Sequence, residues 1–315
     1  MKAITLDRFG GRDVLKLTNQ PLPEIGPQDI LIHVKAAGVN PVDWKIREGL
    51  LQGRLPHQFP IILGWEASGV VKKVGEKVTR FKMGDPVMSY TRKDVIQGGA
   101  YAEYVSVPEK NAAKKPENLS FEEAAALPLA GLTAYQSLFD ALKLKSGETI
   151  LIHAGAGGVG GFAIQLAKNT GAHIITTASS YNHEYVRSLG AEVVIDYNKE
   201  NFAEIIDQKF PNGLDTVYDT YGEPVQDKSI SILKKGGRFC SILEIPNADI
   251  YKNQGYKISY VFVSPNAVQL EELGELACKG RLKITITHIF PLEEAKRAHE
   301  QSETGHTRGK IILTL

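Results

Sequence analysis

Three glycines in the segment AGAGGVGG (154–161), Gly155, Gly157 and Gly160, stand at G-x-G-x-x-G spacing. Residues of this type at this spacing can hold a pyrophosphate. The first permits a tight turn, the second lets backbone approach the phosphates, and the third lets a helix pack closely on a strand. The helix opening at Gly158 and Val159 then offers unpaired N–H groups and a partial positive charge to the anion. A lone glycine triplet is weak evidence. Here the apolar strand TILIHA (149–154) precedes it and an apolar helical pattern follows, the context that dinucleotide binding requires.

The end of the next strand decides which dinucleotide. NAD sites usually place Asp or Glu about 20 residues on, against the ribose hydroxyls. This chain reads TTASSYNHEY there, with Ser179 and Ser180 and no carboxylate before Glu184. Hydroxyls can donate to a 2′-phosphate that a carboxylate would repel, and His183 and Arg187 can add positive charge. The same SSYN stretch also suits a helix cap. The two readings are compatible, and NADP is the expected cofactor.

A different stretch, PIILGWEASGVV (60–71), holds one carboxylate, Glu66, among apolar residues. A buried glutamate is costly unless something pairs with it. Glu66 is therefore expected to accept hydrogen bonds from backbone or from a basic side chain.

The elements that must position these residues change character along the chain. Up to about Lys115 the segments are short, β-branched and glycine-punctuated, as in DILIHVKAAGVN (29–40), ASGVVKKVG (67–75), DPVMSY (85–90) and AYAEYVSV (100–107). Such runs predict a partly barrel-like β module. PVDWKIREG (41–49) predicts one short helix, with Pro41 in its first turn, Asp43 as a cap in preference to orienting Lys45, and Gly49 at its end. Ser120 and Glu123 stand at capping-box spacing before an alanine- and leucine-rich helix.

From residue 149 strands and helices alternate. Strands are predicted at 149–154, 173–179, 193–196, 215–220 and 238–243, and helices from near Gly158, Asn182, Asn201 and Gln226. This is the pattern of a doubly wound parallel sheet. Two helices and two strands, closing with GKIILTL, are expected to return to the first module. The fold class is α/β, a Rossmann sheet plus a β-rich domain. The expected domains are 121–263 for dinucleotide binding, and 1–120 with 264–315 for the substrate.

Bulk properties exclude several classes. Of 315 residues, 43% are hydrophobic and 23% charged, as in ordinary globular proteins. Lys plus Arg is 37 against 36 Asp plus Glu, so no nucleic-acid partner is indicated. The two cysteines, Cys240 and Cys278, exclude a disulfide framework and a Cys-rich zinc lobe. No apolar run reaches the ~18 residues of a membrane span, and MKAITLDRF lacks a secretory h-region. A cytoplasmic protein is expected.

The order of modules resembles the medium-chain dehydrogenase/reductase superfamily, in its zinc-independent quinone oxidoreductase and enone reductase branch. The resemblance rests on AAGVNPVDWKIREG (36–49), PIILGWEASGVVKKVG (60–75), GGAYAEYVSVP (98–108), AAALPLAGLTAYQSL (124–138), AGAGGVGGFAIQLAK (154–168) and GHTRGKIILTL (305–315). It spans essentially the whole chain and implies a GroES-like first domain. In the zinc alcohol dehydrogenases of the superfamily, a histidine ligand falls where Trp65 stands and a cysteine ligand where Asn40 stands. Trp and Asn do not supply the N/S environment of zinc, so no metal is expected.

The resemblance implies reduction of quinones or α,β-unsaturated carbonyls by NADPH. It places Asn40 beside the nicotinamide, although an Asx turn before Pro41 would also use it. Lys45 is the expected donor to the substrate oxygen, and a solvated lysine is the competing reading. Thr133 is expected beside the nicotinamide, with bonding to its own helix as the alternative. The backbone of Phe262 and Val263 is expected at the carboxamide, Tyr197 at the 2′-phosphate or adenine ribose, and Lys310 at the phosphates unless it is an edge-strand lysine. The cleft between the modules is the expected site. A homodimer is expected. A non-catalytic, crystallin-type NADPH binder and an enoyl-thioester reductase are the competing functions.

Overall fold

Short β-branched runs fold as strands because their side chains pack well on a pleated, half-buried surface. The structure, a computed structural model, describes all residues from Met1 to Leu315. The chain divides into two units: Met1–Leu132 with Ser264–Gly280 and Ile284–Leu315, and Thr133–Val263 with Arg281–Lys283.

The first unit holds β1 (Lys2–Leu6), β2 (Lys16–Asn19), β3 (Asp29–Val39), β4 (His57–Ile62), β5 (Glu66–Val74), β6 (Pro86–Tyr90), β7 (Ile96–Gly98), β8 (Tyr104–Pro108) and β9 (Ala112–Lys114). β16 (Ile286–Pro291) and β17 (Lys310–Thr314) join from the end of the chain. One sheet runs β2-β1-β4-β7; the other runs β16-β17-β3-β5-β6-β9, with β8 also on β3. β3 lies between β17 and β5. Its register sets Ile312 against Gly38 and Ala37 against Ala67, so the start of β5 and the start of β17 flank the end of β3. α1 (Pro41–Arg47) follows directly.

The sequence reading ends this unit at residue 120, and the structure corrects it to Leu132. α2 (Phe121–Ala126) is the reason: Ala124, Ala125 and Ala126 are fully buried, and Ala125 and Ala126 pack with Ala36 and Ile312. The small side chains let the helix lie close on β3 and β17. The predicted long helix is also broken. Pro128, which cannot donate a helical hydrogen bond, begins α3 (Pro128–Tyr135), and Gln136–Ala141 continues as a π-helix. α9 (Ala267–Cys278) and α10 (Ala295–Glu303) complete the unit.

The second unit is the predicted parallel sheet. Its strands are β10 (Thr149–Ile152), β11 (His173–Thr177), β12 (Val193–Ile195), β13 (Leu214–Asp219), β14 (Leu233–Ser241) and β15 (Lys257–Tyr260), in the order β12-β11-β10-β13-β14-β15. α4 (Gly158–Thr170), α5 (His183–Leu189), α6 (Phe202–Lys209), α7 (Gln226–Ser231) and α8 (Ala248–Asn253) alternate with them. β15 was not read from the sequence, because KISY carries little apolar signal. Residues 281–283 belong here because the Gln165 side chain pairs with both backbone groups of Lys283, at 2.7 and 3.1 Å. Buried Leu151, Ile175, Val217 and Phe239 form its core. The strand order reverses between β10 and β13, which puts the switch point at the end of β10.

Candidate active site

The glycine loop lies between β10 and α4, at that switch point. Its three glycines differ in what confines them. A Cβ on Gly155 would meet the Thr176 hydroxyl at 2.1 Å, and one on Gly160 would meet the Ala154 carbonyl at 2.4 Å. Both are glycine because protein packs against them. A Cβ on Gly157 would meet nothing nearer than the Ala154 carbonyl at 3.4 Å. The surroundings of Gly157 are open, and Gly157 is the N-cap residue of α4. An open glycine at a helix N-terminus fits a pyrophosphate cradled by the N–H groups that begin at Gly158 and Val159. The tight turn expected of Gly155 is made by its neighbour: Ala154 takes the left-handed conformation, with φ 52°.

At the end of β11, Ser179 is half-buried and its hydroxyl accepts from the Asn182 amide at 3.2 Å, while Ser180 is exposed. His183 donates Nε2–H to the Ala178 carbonyl at 3.2 Å, which leaves Nδ1 for a ligand. Tyr197 is half exposed in the following loop. The structure also brings a carboxylate here that the sequence reading missed. β12 pairs with β11 so that Ile195 faces Thr177, and this delivers Asp196 beside Ser180. Asp196 accepts from the Asn198 N–H at 3.1 Å and lies 3.7 Å from the Lys199 ammonium. The Asn198 N–H, the Ser180 hydroxyl and the charges of Lys199 and His183 hold its carboxyl below the usual range. The aspartate closing VVID was the available signal.

In the first unit, register gathers Asn40, Glu66 and Lys310. Glu66 is fully buried. Its Oε1 accepts from the Asn40 amide at 2.7 Å and the Lys310 ammonium at 2.6 Å, and its Oε2 from the Leu129 N–H at 2.7 Å. Lys310 also donates to the Asn40 side-chain carbonyl. This is the hydrogen-bonded role expected of Glu66. Gly38 makes it possible: a Cβ there would stand 2.1 Å from Glu66 Oε1, so the strand needs a bare backbone where the carboxylate crosses it.

The same cluster corrects one expectation. Lys310 is buried and donates to Glu66 and Asn40, and β17 lies inside the sheet, so it is not an edge-strand lysine. Asn40 donates to Glu66 and accepts from Lys310, so its amide ties the end of β3 to the cluster. The residues do not fit zinc. An ammonium occupies the cluster, Trp65 is buried with its ring centroid 6.4 Å from that of Tyr90, and no three His, Cys, Asp or Glu side chains are grouped as metal ligands.

α1 carries the candidate donor. Lys45 is half-buried, forms no ion pair, and lies 5.6 Å from the Trp44 ring centroid; burial lowers its pKa. Asp43 caps the helix as expected, accepting from the Asn40 N–H at 2.8 Å, and has no bond to Lys45. Thr133 is buried in α3, and its carbonyl accepts from the Tyr218 hydroxyl at 3.4 Å. Phe262 is partly exposed and Val263 buried in the segment after β15, at the same end of the sheet as the glycine loop.

A family model described as alcohol dehydrogenase GroES-like domain matches residues 26–117, and one described as zinc-binding dehydrogenase matches residues 189–313. The second match includes neither Asn40 nor Trp65. A 2-methylene-furan-3-one reductase of Solanum lycopersicum is 37% identical over 99% of this chain and 79% of its own length. An NADPH-dependent alkenal/one oxidoreductase of Arabidopsis thaliana is 36% identical over the same shares. The solved quinone oxidoreductase of Coxiella burnetii is 40% identical with a TM-score of 0.90, covering 100% of this chain and 99% of that one. With its glycine cradle and its β-rich first unit, the chain belongs to the medium-chain dehydrogenase/reductase superfamily, among the quinone oxidoreductases and alkenal reductases.

Proposed function

We propose that the protein reduces quinones or α,β-unsaturated carbonyls with NADPH and without a metal. One observation carries the reading: the same chain has an open glycine cradle at Gly157 and, where the resemblance implies a cysteine ligand in the zinc relatives, Asn40 with its amide bonded to Glu66 and Lys310. Oxidising an alcohol needs an activated alkoxide, normally supplied by the metal. Reducing a polarised C=C bond needs a donor for the oxygen on which charge develops.

NADPH, when bound, supplies the hydride. Gly157, Gly158 and Val159 hold its pyrophosphate, and Ser179, His183, Tyr197 and Lys199 meet the adenosine ribose. Lys45 donates to the developing oxyanion or protonates the product. Its partial burial strengthens that donation, because charge interactions grow as water is excluded. A homodimer agrees with the unpaired outer edge of β15, where Tyr260 is 41% exposed.

The test is a turnover panel with 2-alkenals, vinyl ketones, quinones and simple alcohols. NADPH consumption with a conjugated acceptor and negligible alcohol oxidation is expected. No consumption with any acceptor would overturn the proposal.

A further inference from the structure

Asp43 is fully buried, and its three hydrogen-bond donors are all neutral. Oδ2 accepts from the Asn40 N–H at 2.8 Å and the Tyr101 hydroxyl at 3.0 Å, and Oδ1 from the Gly64 N–H at 3.2 Å. The donors come from three segments: the end of β3, the turn entering β5, and the loop after β7. Asn40 is bonded to both members of the Lys310–Glu66 pair, Gly64 precedes Glu66 by two residues, and Asp43 stands two residues before Lys45. A carboxylate, acceptor on both oxygens, matches three donors. We infer that Asp43 is a positioning residue: its carboxylate ties the Lys45-bearing helix to the Asn40–Glu66–Lys310 cluster, and protonation releases that tie.

The site is built so that this proton comes and goes near neutrality. Burial pushes the Asp43 carboxyl up to about 7; the Asn40 N–H and Tyr101 hydroxyl oppose the rise, Glu66 adds to it, and Lys310 opposes it. The other groups facing the network are Tyr90, which pairs with Glu66 across the ladder, and His299, whose ring meets the Tyr101 ring edge-on at 5.9 Å. Burial and Arg47 hold His299 down to about 3, so it stays neutral through this range. A proton on Oδ1 turns an acceptor into a donor facing the Gly64 N–H, the longest of the three bonds. Gly64 has φ +90°, and a Cβ there would lie 2.4 Å from the Tyr101 ring. The turn is confined by that ring and by Asp43, and protonation removes the second constraint.

Only the kinetic consequence rests on the reductase reading. The chain has two tryptophans, Trp44 and Trp65, each directly following one of the tied residues, Asp43 and Gly64. Tryptophan emission of the protein without cofactor, titrated from pH 5 to 9, should show one transition near neutrality. Asp43→Asn should abolish it. Tyr101→Phe, which removes a donor to the charged form, should move the midpoint to higher pH, and it carries the test should Asp43→Asn not fold. Lys45→Met should leave the midpoint in place. With an enone, kcat should fall severalfold below the same midpoint, while NADPH affinity stays level. Emission without a transition, or one unchanged in the two clamp variants, overturns the inference. A transition in a protein that oxidises no NADPH supports the clamp and overturns only the reductase reading.

Discussion

Lys45 and Glu66 are both polar groups in apolar surroundings, yet they do different work. Glu66 has three donors and is structural. Lys45 has only the Trp44 ring beside it, so its ammonium is available to a substrate oxygen. Lys45→Ala is expected to lower kcat by about ten- to a thousandfold, the range for losing one oxyanion donor. Burial lowers the Lys45 pKa, so the donor is lost as pH rises through that lowered value. Wild-type kcat should therefore decline on the alkaline side, and the variant should lack that decline. Unchanged kinetics would leave water as the proton source. Gly38→Ala gives a second check: its Cβ would displace the Glu66 carboxylate from Lys310. Breaking one side of a buried pair costs about 3 kcal/mol, which denaturant unfolding would detect. A variant as stable as the wild type would show that Glu66 can reach Lys310 by another route.

At the scale of elements, cofactor choice depends on two neighbouring strand ends. The serines that end β11 were legible because they follow an apolar run at the expected distance from the glycine loop. Asp196 was not, since only the parallel pairing of β12 with β11 sets it beside Ser180. This carboxylate weakens the case from uncharged serines alone and shifts it to His183 and Lys199. NADPH should still bind more tightly than NADH, by about tenfold for each charge-assisted hydrogen bond of about 1.5 kcal/mol that the 2′-phosphate gains. Asp196→Asn should widen the preference, and Ser180→Asp should collapse it by repulsion. Paired titrations of both cofactors on the three proteins decide. Equal affinities in the wild type would return SSYN to a helix cap.

At the scale of the whole molecule, the two units respond to acid through different groups. In the second unit His153 is buried, its Nε2 2.8 Å from the Ser229 hydroxyl, and burial holds it down to about 4. It stays neutral in the fold but charges in the unfolded chain below about 6.5. Stability is therefore lost as pH falls from about 6.5 toward 4, by roughly 2–3 kcal/mol from this group. In the first unit His299 acts in the same direction. Asp43 acts oppositely: with its pKa raised, it favours the fold below neutrality and loses that contribution as pH rises through about 7. Calorimetric scans at pH 7 and pH 5 should show the second unit losing more, and His153→Gln should remove much of that loss. Equal acid sensitivity in wild type and variant would exclude His153 as its source.

The sequence alone determined the elements whose signals are local. Glycine spacing after an apolar strand, alternation of strands with helices, and Trp65 and Asn40 in a near-continuous family pattern can each be read from neighbours in the chain. They carried the fold class, the dinucleotide loop and the absence of zinc-type ligands at those positions. Tertiary structure alone decided where polar side chains of distant segments meet. Lys310 lies 244 residues from Glu66, and only the antiparallel register of β17 on β3 brings it to that buried carboxylate. The domain boundary was equally hidden, because Ala124–Ala126 suit any helix until they are seen packed on β3. Local pattern fixes what an element is. Register and close packing fix which of its side chains are paired and which remain for chemistry.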